Sequence, residues 1–290
     1  GTSTVSGTYA VTATAGGDIT DTGRLVITGA STFTAADERS IYLDTTNSSF
    51  GTVAFVASSG NLKDVTIKDT TLIDLAALTL VKVGGNGGNL IVAAGGAVTD
   101  SGALVIPGTA TISASGQNVT LDESSNNFGT LAITGANVAA TDTNAIILGA
   151  ATVSGTYGIT AGGAVTDSGT QEITGVTTIS ASGQTVTLNT ATNNFADEVR
   201  ITGAAVTVVD EDAIDLGAST VTGAYSVTAD GAVTNSGALA ITGTTTISAS
   251  SRNVTLNTAA NNFQGAVGIT GANVSVVDAG AIVLGASTVS

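Results

Sequence analysis

The octapeptide GGAVTDSG at 95–102 returns unchanged at 162–169 and as DGAVTNSG at 230–237, so the spacings from 95 to 162 and from 162 to 230 are 67 and 68 residues. Its surroundings keep step. TISASGQNVTL (111–121), TISASGQTVTL (178–188) and TISASSRNVTL (246–256) recur in the same phase, as do Asn126-Asn127-Phe128, Asn193-Asn194-Phe195 and Asn261-Asn262-Phe263. A more divergent copy lies upstream, with SGTYAVTA before GGDITDTG (16–23), NSSF (47–50) in place of NNF, and about eleven extra residues after Phe50. A period of this size marks stacked units whose apolar faces are buried only against their neighbours.

The reading is one continuous β-solenoid over 1–290, with units at about 1–81, 82–148, 149–216 and 217–284 and the start of a fifth at 285–290. GTSTVS (1–6) returns as GAATVS (149–154), GASTVT (217–222) and GASTVS (285–290), so the chain stops in the phase in which it starts. Neither end carries a polar cap. That predicts either a slice of a longer array or a subunit that stacks end to end.

Within a unit, nine short segments separated by Gly, Asn, Asp or Ser read as strands; in the second copy they run from ALVIPG and TATISAS to YGITAG and GAVTDSG. Val, Ile and Thr alternate with small or polar residues, and no stretch shows the spacing of a helix. The fold class predicted is therefore all-β, a parallel β-helix of about three coils per repeat, roughly 22 residues per coil and twelve to thirteen coils in all. Core positions are expected to hold Val, Ile, Leu, Ala and Thr, in a tube too narrow for aromatic rings.

Composition removes whole classes of function. Seven Lys+Arg against 22 Asp+Glu give a net charge of −15, which excludes the basic stripe a nucleic-acid partner requires. There is no His and no Cys, so His-dependent nucleophiles, thiol chemistry, disulfides and ordinary zinc sites have no reagents. The protein is expected to be no enzyme and to need no cofactor. No run of eighteen apolar residues occurs, so membrane insertion is not expected. Absence of Cys suits a chain exported unfolded through an oxidising compartment.

Three constellations are weighed as sites. Asp210, Glu211, Asp212 and Asp215 form the densest acidic cluster, a candidate calcium site or the carboxylate group of a polysaccharide-cleaving β-helix enzyme, set against a solvated corner; TDTNAIIL (141–148) and DAGAIVL (278–284) lack it, which favours the corner. Asn-Asn-Phe invites sugar stacking on an exposed ring, against amides that bond neighbouring backbone beside a Phe that seals a seam; the second is preferred. Gly84-Gly85-Asn86-Gly87-Gly88 lacks the Lys-Ser/Thr of a phosphate loop and reads as a turn or insertion. Threonine runs such as Thr244-Thr245-Thr246 are too sparse for an ice-binding face.

The run QTVTLNTATNNF (184–195) with VRITGAAVTVVDEDAIDLGASTVTGAYSVTADGAVTNSGALAITGTTTISAS (199–250) resembles the repeat regions of filamentous-haemagglutinin-like giant bacterial adhesins. The resemblance implies a right-handed coil, secretion to the cell surface and a role as a long stalk or fibre, and it transfers no catalytic residue. The partners expected are further repeats or axial self-association, with glycans or a host or neighbouring cell surface as the adhesive target.

Overall fold

The computed structural model describes residues 1–289; Ser290, the last residue of the fifth repeat's opening, lies outside the described residues. The chain forms two compact units, 1–146 and 147 onward, and each is a parallel β-solenoid. Together they contain about 14 turns, slightly more than the twelve to thirteen expected, and no helix occurs among the described residues. The extra turn arises in the second unit, where most coils are shorter than 22 residues. In the second unit Val206 pairs with Tyr225 and Tyr225 with Thr245, steps of 19 and 20.

Strand after strand shows period-2 burial, as branched and apolar side chains alternate across the sheet. In Val206–Asp210, Val206, Val208 and Asp210 face the core while Thr207 and Val209 are half-exposed. Register places inward residue above inward residue. Val186, Val206, Tyr225, Thr245 and Val267 stack in one column, and each buried aliphatic in such a column contributes about 1.5–3 kcal/mol.

The repeat is not a whole number of turns. From Tyr157–Ala161 to Ser219–Val221 there are ten strands before the next tyrosine strand, Tyr225–Ala229, and at three strands per coil that is three turns and a third. Successive copies are therefore displaced by one side of the coil. Tyr157 stacks with Thr177 and Val199, whereas Tyr225 belongs to the column of Val186 and Val206. Phe195 sits on Ile173, whereas Phe263 sits on Ile241 and Val221. The tenth strand is the Asn-Phe pair of Asn-Asn-Phe, such as Asn194–Phe195, too short for its alternation to be read from sequence.

Rings do enter the tube, contrary to expectation. Every Phe is buried, at 33, 50, 55, 128, 195 and 263, and Tyr157 and Tyr225 are buried with them. Because copies rotate, the rings fall on different sides and are not forced into one overfilled column. In the first unit Phe33 packs against Tyr9, Phe50 and Phe55 at centroid distances of 5.9, 6.2 and 6.2 Å. Gly84-Gly85 forms the predicted turn: both residues have φ > 0, and they close an antiparallel hairpin of Lys82–Val83 with Asn86–Gly87.

Glycine in the octapeptide has a steric cause. A Cβ on Gly169 would lie 2.5 Å from the amide nitrogen of Ala150 in the adjoining coil, and one on Gly237 would meet Ala218 closer still. Backbone touches backbone there, so no side chain fits.

Candidate functional site

Two polar devices recur copy after copy, and both face inward. The first is a clasp between an aspartate and the backbone of the phenylalanine one coil below. The amides of Phe50, Phe128, Phe195 and Phe263 donate to the carboxylates of Asp69, Asp142, Asp210 and Asp278 at 3.0, 2.6, 2.8 and 3.0 Å. In three copies the other oxygen accepts an amide two residues on, from Thr71, Asn144 or Asp212, at 2.7, 2.8 and 2.8 Å. This short-range turn is one that Asp forms readily, so sequence drives it locally while the Phe amide fixes it across coils.

Burial dominates these carboxylates. Loss of solvent raises Asp69, Asp142 and Asp210 above the ordinary carboxylate value despite the donated amides, and Asp210, with Asp212 and Glu211 beside it, is pushed up to about 6.

The second device is a buried amide. Asn126 accepts from the amide of Leu104 at 2.8 Å and donates to Asp100 at 2.6 Å. Asn193 accepts from the amide of Gln171 at 2.9 Å and donates to Asp167 at 2.7 Å, while Asp167 also receives the amides of Asn189 and Thr190. Asn261 fills the same place with Asn235 as its neighbour. Desolvation raises Asp100 as well, against the lowering effect of Asn126.

The four acidic candidates separate. Asp210 is in the core, and both its oxygens are taken by Phe195 and Asp212 amides. Glu211 and Asp212 are exposed at the corner, and Asp215 lies on the outer face, accepting from Thr234 Oγ1 at 3.1 Å. Asp210 is thus no solvated corner residue. Its partners in other copies, Asp69, Asp142 and Asp278, were the available signal: an acid present in each copy beside acids that are not. Among the described residues no group of three or more His, Cys, Asp or Glu is arranged to hold a metal ion.

Asn-Asn-Phe offers no ring to a sugar. Phe128, Phe195 and Phe263 are at most 1 % exposed and the first Asn of each motif is fully buried, so the sealing role holds and stacking on an external ligand does not.

A chain built this way is a solenoid whose repeated polar chemistry holds one coil to the next. Its sequence matches the family model described as "Repeats of unknown function (DUF5649)" over residues 1–57, 62–134, 135–202 and 203–270, and the protein belongs to that family. No curated protein and no solved structure matches the chain.

Proposed function

We propose that the protein is a non-enzymatic structural element of a bacterial cell surface, an extracellular β-solenoid fibre or stalk with adhesive use. One observation carries the reading: two polar features that recur in the copies, the Asp–Phe clasp and the Asn corner, spend their hydrogen bonds on neighbouring coils. What the repeat preserves is the stack itself. Rotation by a side per copy supports this further, since within the second unit equivalent outward residues point in different directions and build no repeat-wide binding stripe.

Absence of His and Cys supports the non-enzymatic part, and the resemblance to filamentous-haemagglutinin-like adhesins supports the surface location. The net charge of −15 keeps parallel fibres apart at low salt, a repulsion that salt or calcium relieves without a dedicated site. Electron micrographs of the native material, with its denatured chain mass, test the reading. Thin unbranched fibres outside the cell support it; a diffuse intracellular protein that cleaves polysaccharide overturns it.

A further inference from the structure

A groove on the outside of the first unit departs from the pattern of the repeat. Lys68, Ala93 and Ser113 stand in register on three consecutive coils, Lys68 paired with Ala93 and Ala93 with Ser113. Inside the second unit the equivalent column reads Val209, Thr228 and Ser248. Thr holds Ala93's place in the remaining copies too, as Thr12 and Thr160, so of the four copies this one alone has its middle coil cut back to a methyl group. A hollow of about 400 Å³ opens over it, within the size range of small-ligand sites.

Charge changes together with shape. At the adjoining corner Thr70, Gly95 and Ser115 stand where the second unit has Glu211, Asp230 and Ser250. Lys68, Thr70 and Gly95 carry a formal charge of +1, whereas Val209, Glu211 and Asp230 carry −2. In a chain of net charge −15 this is a local reversal of sign, and it favours an anion. Among the described residues Lys68 makes neither an ion pair nor a hydrogen bond, so its ammonium is free for a ligand. Asp69, the acid in the wall, is buried, and its oxygens are taken by the amide of Phe50 and by the amide and hydroxyl of Thr71.

The lining suits a sugar. Ala93 and Ala94 form a small apolar floor for the C–H face of a ring, and Asn47, Ser113 and Ser115 stand around it with side chains that make no hydrogen bond among the described residues. We infer that the groove binds a carboxylate-bearing sugar unit of a glycan, the carboxylate on Lys68 and the ring hydroxyls on Asn47, Ser113 and Ser115. The inference rests on the adhesive reading of the fibre and gives that adhesion a site. Such sugars come from two sources, the sialic acids of host glycans and the uronic acids of matrix polysaccharides, and both present a carboxylate beside ring hydroxyls.

Titration of the full-length chain with a sialyl-oligosaccharide, an oligouronate and a neutral oligosaccharide of matching length tests it. At least one acidic probe should bind, at one site per chain and at least roughly tenfold more tightly than the neutral probe. Binding of the sialyl probe alone assigns the groove to a host surface, of the uronate alone to a matrix, and of both to the carboxylate they share. Lys68→Gln should weaken binding at least roughly tenfold. Ala93→Thr installs the residue that the other copies carry, so it should fill the groove and block binding while circular dichroism and the thermal midpoint stay unchanged. No binding of either acidic probe, binding that survives both variants, or a polyglutamate peptide bound as tightly as the sugars would overturn the site. If the groove fails while native fibres still adhere to cells, the adhesive reading stands and only the site falls; fibres that adhere to no surface would sink both.

Discussion

Asp167 in the third full copy and Asn235 in the fourth stand at the same corner, yet the hydrogen bonds around them run in opposite directions. Asp167 receives: the amides of Asn189 and Thr190 and the side-chain nitrogen of Asn193 all donate to it. Asn235 gives: its nitrogen donates to Asn261 Oδ1 at 2.8 Å and to the carbonyl of Gly237 at 3.0 Å, and its own Oδ1 is buried without a partner. The next corner differs too. Gly183 takes φ 73° there, whereas Ser251 is held at φ 61°, a conformation that opposes its Cβ. Both corners keep their coils in register, so the stack tolerates a locally poor fit because each coil is clamped by two neighbours along three sides.

The comparison breaks most completely where the copies agree. Gly169→Val and Gly237→Val push a side chain into the adjoining backbone and should each cost about 3 kcal/mol or more, read as a lower urea midpoint. Either variant unfolding at the parental midpoint would refute the close approach.

Acid should sharpen the contrast next. Burial raises the carboxyl of Asp210 from the ordinary value to about 6, so the folded chain holds that proton more tightly than the unfolded one. The stability it lends is complete below about pH 4 and is lost as pH rises through about 6. Allowing for solvent at the corner, the chain should gain on the order of 1–2 kcal/mol between pH 7 and pH 4, and Asp210→Asn should flatten that part of the slope. A stability that rises with pH across this range would reverse the sign of the argument.

Smaller effects follow at the two drifted corners. Asn235→Asp restores the acceptor that the third copy uses and should add about 1 kcal/mol at pH 7. Ser251→Gly removes the left-handed strain and should add about 0.5–1 kcal/mol, while Gly183→Ser should lose a similar amount. Calorimetric midpoints moving the other way would mean that the two copies are not equivalent.

Much of this was legible in the sequence because the repeat writes its register openly. Strand class, parallel stacking and the turn at Gly84-Gly85 follow from period, alternation and turn residues. The inward clasp was not, because Asp210 stands among Glu211, Asp212 and Asp215, and an acid cluster reads as a surface; only its recurrence as Asp69, Asp142 and Asp278 separates it. The one-side rotation of each copy was hidden in Asn194–Phe195, a strand of two residues, too short for alternation to reveal.

The register is the claim on which clasp, corner and rotation all depend, and an intramolecular disulfide reads it directly. Thr207 pairs with Ser226, 19 residues on, so Thr207→Cys with Ser226→Cys should close in the monomer without lowering its thermal midpoint. Thr207→Cys with Thr228→Cys, two residues out of register on the same face, should stay reduced under the same conditions. Closure of the second pair in place of the first would contradict the coil length, and with it the ten-strand repeat.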